Sequence, residues 1–332
     1  MGMNWLITGG CGFLGVNLIA NLMMDGEDAH HIIVLDDLGV GTRDDLSAVC
    51  TFKEIKANQV ADEGAVNLVV GSILDADLVL ELTKNIDVIV HFAANTGVQP
   101  SISNPRLDMQ MNVIGTFNLL EAARQNDVTR FVFASSGAPA GEVDPPIHEE
   151  VAPHPVSPYG ASKLAGEGYC SAYSKSFGLD TVCLRFGNVY GPRSGHKASV
   201  VAKFINNALN GRVIEIYGDG SQTRDFIYVD DLIRAVRLAA KVPNIGGETF
   251  QIATQSETTV RDLLDQLVDA FSNANVSVPE VVYTERLAGD VMRNYSDTSK
   301  AGRMLGWQAE VHLKKGLETT LQWFLDSSDT TN

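Results

Sequence analysis

The sequence predicts an α/β fold with a doubly wound parallel sheet, and three observations lead to it. Short apolar runs alternate with longer amphipathic ones through the first half of the chain, as in the repeated β-α-β units of doubly wound sheets. Several apolar runs lack polar alternation, which favours strands buried on both faces of a parallel sheet. A glycine-rich turn follows the first of these runs.

Each strand of the sheet is predicted from one short apolar run. In chain order the runs are Trp5–Thr8, Ile32–Asp36, Leu68–Val70, Val88–His91, Phe131–Ala134 and Thr181–Phe186. Two of the intervening helices begin with a capping residue followed by proline, which suits the first helical turn. Asn104-Pro105 opens the first of these helices, and Ser157-Pro158 opens the second, which we expect to end near Phe177.

The turn after the first strand, Gly9–Gly15, matches the pattern G-x-G-x-x-G and leads into a helix. Glycines at this spacing allow a tight turn and close backbone approach to a pyrophosphate at the helix N-terminus. Asp36 ends the next strand about 20 residues later, where a carboxylate accepts from a ribose 2′-hydroxyl. This context favours a dinucleotide site of the Rossmann type over a plain glycine turn. Asp36 and Asp37 would repel a 2′-phosphate and favour NAD, although the nearby Arg43 leaves NADP open.

The alternation of elements loosens after Arg185, where glycines separate shorter segments. In this half we expect helices near Val200–Leu209, Asp230–Ala240 and Val260–Phe271, and a strand at Phe250–Ala253. The expected division is a Rossmann domain over residues 1–184, to which the chain returns over about 227–254. Residues 185–226 and 255–328 are expected to form a smaller α/β substrate-binding lobe.

Composition excludes several classes of function. The chain has 25 Lys and Arg against 41 Asp and Glu, a net charge of −16. Such a surface repels phosphate backbones and anionic lipids, so we expect neither nucleic acid nor membrane as a partner. No uninterrupted apolar stretch is long enough for a membrane span. Four scattered cysteines without a C-x-x-C motif indicate neither a metal site nor a disulfide framework, and reduced thiols fit a cytoplasmic protein.

A phenol and an ammonium lie four residues apart at Tyr159 and Lys163, on one face of a predicted helix. A free tyrosine has a pKa of about 10, and an adjacent cation lowers that pKa by roughly one to three units. The phenol then serves as an acid or base near neutral pH. Ser135-Ser136 follows a predicted strand, and both groups are expected at the carboxyl edge of the sheet. The alternative is a surface tyrosine beside a solvated lysine.

Six motifs occur in a characteristic order: Thr8–Gly15, His91–Ala94, Ser135-Ser136, Tyr159-x-x-x-Lys163, Leu184–Pro192 and Arg224–Asp231. Together they resemble the extended short-chain dehydrogenase/reductases. Within that superfamily the sequence is most similar to NAD-dependent nucleotide-sugar epimerases, especially the UDP-glucose/UDP-N-acetylglucosamine 4-epimerases. The resemblance covers nearly the whole chain, as far as Leu305-Gly306-Trp307.

The resemblance implies roles for residues of the first half. Those implied to hold the cofactor NAD are Gly9, Gly12, Phe13, Leu14, Asp36, Ile73, Ala93, Ala94, Tyr159 and Lys163. Among them, Asp36 would hold the adenosine ribose and Lys163 the nicotinamide ribose. Tyr159 would be the catalytic acid/base, and Ser136 would bond the reacting sugar oxygen. Isolated residues such as His91 and Cys11 are expected to serve packing.

The resemblance also implies substrate contacts, mainly in the second half. The implied set is Ser136, Asn188, Ser199, Val200, Tyr217, Arg224, Arg286, Asp290 and Asn294. Asn188 and Arg224 match diphosphate contacts of the family, although an ordinary ion pair with Asp225 is an alternative for Arg224. Arg286 is separated from Gly289-Asp290 by one residue more than usual, which weakens its match. Asn294 matches a position beside the C2 substituent of the sugar, where a small residue admits N-acetyl groups.

The resemblance favours epimerisation of a UDP-hexose at C4 through a 4-keto intermediate. In its dehydratase and decarboxylase branches an acidic side chain follows the catalytic hydroxyl residue within two positions, whereas Gly137 and Ala138 stand here. The run Gly137–Gly141 replaces a more usual pattern and reshapes the pocket wall. Alternatives are another nucleotide-sugar epimerase, acting on a uronic acid or at another ring position, and a non-catalytic nicotinamide-sensing protein. The family commonly forms homodimers, here through about Pro105–Asn126 and Pro158–Phe177.

Overall fold

The computed structural model describes residues 2–25, 30–56, 59, 66–195, 199–286 and 291–329. The strands of these residues are β1 (Asn4–Thr8), β2 (His31–Asp36), β3 (Phe52–Glu54), β4 (Val66–Val70), β5 (Val88–His91), β6 (Arg130–Ser136), β7 (Asp180–Phe186), β8 (Asn188–Tyr190), β9 (Ile214–Tyr217), β10 (Thr223–Arg224), β11 (Phe226–Tyr228), β12 (Glu248–Ile252), β13 (Thr258–Thr259) and β14 (Val281–Thr284).

The helices of the same residues are α1 (Phe13–Leu22), α2 (Arg43–Ser47), α3 (Ala76–Leu82), α4 (Val98–Ser103), α5 (Pro105–Met109), α6 (Gly115–Gln125), α7 (Pro158–Phe177), α8 (Val200–Leu209), α9 (Val229–Lys241), α10 (Val260–Asn273), α11 (Ser299–Leu305) and α12 (Leu313–Asp329). None of them combines the length and the apolar composition that crossing a membrane requires.

The main sheet has the strand order β12-β7-β6-β5-β1-β2-β4-β3, which confirms the predicted doubly wound α/β fold. The pairs from β6 through β3 are parallel. Thr8, the last residue of β1, lies opposite Leu35 of β2 and His91 of β5. The carboxyl ends of these three strands therefore meet at one edge, which is where parallel sheets of this kind bind ligands.

Local sequence explains the ends of α7. Ser157 caps the helix by accepting from the backbone N–H of Gly160 at 3.1 Å, and Pro158 occupies the first turn. Gly178 ends the helix in the left-handed conformation, with φ of +73°. The predicted boundaries of this helix are confirmed.

A π-helical turn interrupts the other predicted long helix. Asn104 caps α5 by accepting from the N–H of Leu107 at 3.1 Å, as its sequence indicates. The turn Gln110–Ile114 then separates α5 from α6. Such turns are rare and often occur at functional sites, and apolar periodicity did not predict this one.

The chain divides into two compact units. The first comprises residues 1–141, 152–185 and 233–250, and its buried core includes Leu6, Ile89, Leu119 and Phe131. The second comprises residues 142–151, 186–232 and 251–332. Its core is formed by α8, α10 and α12 around residues such as Phe204, Leu263, Phe271, Leu321 and Phe324.

Candidate active site

The glycine turn between β1 and α1 is built for close backbone approach. Gly9 has φ of +68°, and a Cβ added there would lie 2.7 Å from the backbone nitrogen of Ala93. A Cβ on Gly15 would lie 2.4 Å from the Cα of Gly10. Gly12 caps α1 without a side-chain hydrogen bond, and the half-buried Phe13 and Leu14 begin the helix. This cradle, which side chains would fill, fits the pyrophosphate of NAD.

Asp36 lies beside this turn, as predicted, at the end of β2. Its carboxylate accepts from the N–H of Cys11 at 2.9 Å and from the N–H of Leu38 at 2.8 Å. Burial raises the pKa of the carboxyl above its usual value, and these two hydrogen bonds oppose the rise. Two backbone donors thus fix the orientation of an acceptor at the edge where a ribose would lie.

Ile73, Ala93 and Ala94 follow the carboxyl ends of strands β4 and β5. Ile73 is buried, and its carbonyl accepts from the amide of Asn118 at 3.0 Å. Ala93 and Ala94 are half-buried, and the N–H of Ala93 donates to Thr8 Oγ1 at 3.3 Å. These three residues therefore lie in loops of the sheet edge that also carries the glycine turn.

The structure brings the three predicted catalytic side chains together. Ser136, the last residue of β6, is hydrogen-bonded to the Tyr159 phenol on α7. One helical turn on, Lys163 donates from Nζ to the carbonyl of Ala134 at 2.8 Å. Its ammonium lies 4.8 Å from the ring centroid of Phe133 and 5.9 Å from that of Tyr159. The alternative of a surface tyrosine with a solvated lysine is therefore wrong.

Burial governs the ionisation of this pair. It raises the pKa of Tyr159 to about 12, against a lowering effect of the Ser136 hydrogen bond. It also lowers the pKa of Lys163 to about 8, against the attraction of Asp108 and Glu167. The expected lowering of the phenol pKa is thus opposed by desolvation in the protein itself. A nicotinium charge close to the phenol would act in the favourable direction.

Around α7 lies a polar network that sequence reasoning missed. Asn112, in the π-helical turn, donates to Asn95 O at 3.0 Å, Asp108 Oδ1 at 2.9 Å and Ser162 Oγ at 3.1 Å. It also accepts from the N–H of Asn95 at 2.8 Å. Since Ser162 stands next to Lys163, the network fixes α7 against the loop that carries Ala94. The spacing of Asp108 and Asn112, one helical turn apart, was the signal available in the sequence.

A second missed network joins β6 to α7 and β7. Glu167 accepts from Arg185 Nε at 2.8 Å, from Arg185 Nη2 at 2.7 Å and from Ser135 Oγ at 2.6 Å. All three residues are buried. The two-point ion pair thus holds α7, β6 and β7 together next to Ser136 and Lys163.

Three cysteines of the first unit, Cys11, Cys170 and Cys183, are buried, whereas Cys50 is half-buried. Burial raises the pKa of Cys11 to about 12. The pKa of Cys183 is also raised, first by a hydrogen bond with Cys170 and then by burial. Among the described residues, His, Cys, Asp and Glu side chains form no group of three or more that could hold a metal ion.

In the second unit the structure places most of the predicted substrate contacts at the ends of short elements. Asn188 begins β8 with an exposed side chain, Ser199 caps α8, Val200 begins that helix, and Tyr217 ends β9. The Tyr217 hydroxyl lies 3.2 Å from Lys203 Nζ. Arg286 is exposed after β14, and Asp290 lies outside the described residues.

Arg224 and Asn294 belong to one corner of the second unit. Arg224 donates to the carbonyls of Thr223 at 2.6 Å and Val291 at 2.9 Å. The N–H of Asn294 donates to Thr223 Oγ1 at 3.3 Å, and its side chain is half-buried. The carboxylate of Asp225 accepts four hydrogen bonds, from Thr254 N, Thr254 Oγ1, Gln255 N and Ser296 N. These donors hold the turn that follows β10.

Comparison with known proteins gives consistent matches over the whole chain. Residues 5–253 match the model of the NAD dependent epimerase/dehydratase family. The UDP-glucose 4-epimerase of Mycolicibacterium smegmatis is 36% identical over 335 residues, which cover 98% of this chain and 100% of that protein. The crystal structure of UDP-glucose 4-epimerase from Thermotoga maritima, with UDP-glucose, superposes with a TM-score of 0.87 at 33% identity, covering 98% of this chain and 100% of that chain.

A dehydratase is similar to nearly the same degree. The dTDP-glucose 4,6-dehydratase of Streptomyces venezuelae, solved with NAD bound, has a TM-score of 0.87 at 31% identity and covers 99% of this chain and 98% of that chain. Overall similarity therefore does not separate the two reactions, and residues around the site must do so.

Proposed function

Because the chain belongs to the NAD-dependent epimerase/dehydratase family, whose cofactor is NAD, we propose that it epimerises a UDP-hexose at C4. The observation that carries the proposal is the meeting of Ser136, Tyr159 and Lys163 at the end of β6. A hydroxyl, a phenol and an ammonium at one sheet edge are the groups that a reversible alcohol oxidation requires.

In the proposed reaction Tyr159 takes the proton of the sugar 4-hydroxyl and later returns it to the 4-keto oxygen. Ser136 stabilises that oxygen by hydrogen bonding. Lys163, fixed by the carbonyl of Ala134, holds the nicotinamide ribose and supplies positive charge beside the phenol. NAD, when bound, would supply the hydride acceptor for C4 and then the hydride donor to the opposite face of the 4-keto sugar.

Residues after the catalytic serine support epimerisation rather than dehydration. Elimination of water from a 4-keto sugar needs an acid beside the leaving hydroxyl. Gly137 and Ala138 follow Ser136, and the N–H of Ala138 donates to Ser136 Oγ at 3.2 Å. The short helical turn Ala138–Ala140 thus offers backbone and methyl groups where a dehydratase of the resembling family has a carboxyl group.

For the nucleotide-sugar we propose contacts from Asn188, Ser199, Val200, Tyr217, Arg224, Arg286 and Asn294, and for NAD contacts from Gly9, Gly12, Phe13, Leu14, Asp36, Ile73, Ala93, Ala94, Tyr159 and Lys163. Asn294 offers both a donor and an acceptor to an acetamido group. We therefore propose that N-acetylated UDP-hexoses are substrates together with UDP-glucose and UDP-galactose. Relatives solved with UDP-glucose and with UDP-N-acetylmuramic acid support a UDP-sugar substrate.

We also propose a homodimer through the helical segments at about Pro105–Asn126 and Pro158–Phe177. An aromatic row runs along one face, with ring centroids of Phe117 and Tyr169 at 5.8 Å and those of Tyr173 and Phe177 at 5.0 Å. Phe117, Tyr169 and Phe177 are exposed. Gly160 and Gly166 of the same helix pack within the chain, against Ala138 and Phe133 respectively. The aromatic face, rather than the small residues, supports association. We also propose a cytoplasmic location, which the free cysteines support because the cytoplasm is reducing.

The decisive experiment is product analysis by NMR on a panel of sugar nucleotides: UDP-glucose, UDP-GlcNAc, UDP-glucuronate and dTDP-glucose. Appearance of the C4 epimer from the first two supports the proposal. A 4-keto-6-deoxy sugar would indicate a dehydratase, and conversion of UDP-glucuronate alone would indicate the uronate alternative. Inertness towards the whole panel, with NAD bound, would indicate a sensing protein.

A further inference from the structure

His91 is a buried residue that the proposed reaction does not use. It ends β5, and the rings of Phe131 and Phe133 lie against it at centroid distances of 6.1 and 5.8 Å. Two hydroxyls contact its ring nitrogens. Thr8 Oγ1 lies 2.7 Å from Nδ1, and Thr116 Oγ1 lies 3.0 Å from Nε2. The ring is therefore hydrogen-bonded on both sides within an apolar surrounding, which goes beyond the packing role expected from the sequence.

The direction of each of these hydrogen bonds follows from the backbone groups that the two threonines contact in turn. Thr116 Oγ1 lies 2.7 Å from the carbonyl of Asn112, which can only accept, so the single hydroxyl proton of Thr116 is donated there. Thr116 must then accept from His91, which places a proton on Nε2. At the other end the N–H of Ala93 can only donate, and it donates to Thr8 Oγ1 at 3.3 Å.

The remaining bond is fixed by the charge of the ring. Burial and the Lys163 ammonium lower the pKa of His91 to about 3, so the imidazole is neutral at physiological pH. A neutral ring with a proton on Nε2 has an unprotonated Nδ1, which accepts from the Thr8 hydroxyl. The hydrogen bonds therefore run in one direction, from Ala93 N–H through Thr8, His91 and Thr116 to the carbonyl of Asn112, and every donor among them is paired.

We propose that His91, as the neutral Nε2–H tautomer, is a positioning residue that ties the cofactor loop at Ala93 to Asn112 of the π-helical turn. Thr8 immediately precedes the glycine turn, and Asn112 holds Ser162 next to Lys163. The hydrogen bonds therefore join three segments around the proposed NAD site: the end of β1 at Thr8, the loop at Ala93 and the π-helical turn at Asn112. The inference rests on that placement of NAD, whereas the tautomer follows from the contacts of the ring together with its burial.

The tautomer is tested by NMR on protein carrying ¹⁵N-histidine, with the His91 signals assigned by their loss in His91→Asn. The expected result is a protonated Nε2 and an unprotonated Nδ1 that do not titrate between pH 5 and pH 8. A protonated Nδ1, or a ring that titrates in this range, would overturn the proposal. Since no substrate is present, failure of the proposed epimerase activity would leave this result unaffected.

The positioning role is tested by NAD affinity. Thr116→Val keeps the shape of the side chain but removes the acceptor of His91, and we expect about a tenfold weaker Kd for NAD by calorimetry on nucleotide-free protein. Thr116→Ser should restore both the affinity and the Nε2–H signal. Thr181→Val, which removes another buried hydroxyl bonded to Cys170 O, is the matched control and should bind NAD normally. Equal affinity of Thr116→Val, Thr181→Val and the unaltered protein would refute the role.

Discussion

The guanidinium of Arg43 and the carboxylate of Glu54 form a two-point ion pair, with Nε to Oε2 at 2.7 Å and Nη2 to Oε1 at 3.1 Å. Arg43 is the cation that the sequence left open as a partner for the 2′-phosphate of NADP. Its pairing occupies the side of the guanidinium that would bind a phosphate in the same two-point manner. The ion pair therefore supports the preference for NAD that we propose for Asp36.

The preference for NAD over NADP should accordingly depend on the carboxylates of both Asp36 and Glu54. Asp36→Ala is expected to weaken NAD and to narrow the gap in Kd between NAD and NADP, because the acceptor for the ribose and the repulsion of a phosphate are both removed. Adding Glu54→Gln, which releases Arg43, should narrow the gap further. Calorimetric titration with both dinucleotides measures the effect. Glu81→Gln, which breaks the exposed pair with Lys84, is the control. Equal affinity of the unaltered protein for both cofactors would contradict the assignment.

Loss of the phenol should slow turnover far more than it weakens NAD binding. For Tyr159→Phe we expect kcat to fall by about 100-fold or more, the usual scale of general acid–base catalysis. The Kd for NAD should change far less than kcat, because the other proposed NAD contacts, including Lys163 and the glycine turn, are untouched. Steady-state kinetics and NAD titration check the two parts. Near-normal turnover in this variant would eliminate Tyr159 as the acid/base.

The buried Lys163 ammonium should lower the free energy of unfolding of the nucleotide-free protein. Its pKa is lowered from 10.5 to about 8 by burial, so the unfolded chain binds more protons between these values. The free energy of unfolding therefore contains a contribution that rises with pH from about 8 to 10.5. At pH 7 the free energy of unfolding of Lys163→Met should exceed that of the unaltered protein by about 1–3 kcal/mol. This difference should shrink as the pH rises.

Urea denaturation at several pH values measures this difference. Lys175→Met, on the exposed end of the same helix, is a matched control that should show no such dependence. If Lys163→Met is less stable than the unaltered protein at pH 7, the bond to the Ala134 carbonyl outweighs desolvation and the prediction is wrong.

The range of UDP-sugars accepted as substrates should depend on Asn294. Replacing it with Tyr is expected to lower kcat/KM for UDP-GlcNAc far more than for UDP-glucose, because a bulky ring would exclude the acetamido group. Asn294→Ser should keep both sugars as substrates. An unchanged ratio in Asn294→Tyr would mean that the wall formed by Gly137–Ala140 decides the matter instead.

The oligomeric state should depend on the aromatic row. We expect the mass of a dimer by light scattering at micromolar concentration, and we expect Tyr169→Glu to give a monomer because a buried charge without a partner is strongly unfavourable at an interface. Val213→Glu alters another exposed apolar residue, in the second unit, and should leave the dimer intact. A monomeric mass for the unaltered protein would contradict the proposal.

Elements defined by local chemistry were predicted well from the sequence. The helices Pro158–Phe177 and Val200–Leu209 and the strand Val88–His91 are found with the predicted ends, because a cap, a proline, a glycine or a continuous apolar run marks each end. The edge strand Phe52–Glu54 was missed because most of it is exposed and its composition resembles a loop. The strand predicted at Phe250–Ala253 instead covers Glu248–Ile252.

That the side chains proposed for catalysis lie together was also predictable, whereas the residues that hold them in place were not. Tyr159, Lys163 and Ser136 belong to motifs with recognisable spacing. His91 and Asn112 act through partners that are distant in sequence, and only the fold shows which hydroxyl or carbonyl each one contacts. The ionisation of Tyr159 was predicted from its neighbouring cation, but burial, which a sequence does not show, has the larger effect.

The buried thiols report on local opening of the structure around them. Cys11 is part of the glycine turn, Cys170 belongs to α7 and Cys183 to β7. All three are buried, so a thiol reagent meets them only when these regions open. The rate of alkylation at each cysteine then measures how often the cofactor loop or the catalytic helix separates from the sheet. A nucleotide that binds the closed state should slow these reactions in proportion to its occupancy, without any label having to be introduced.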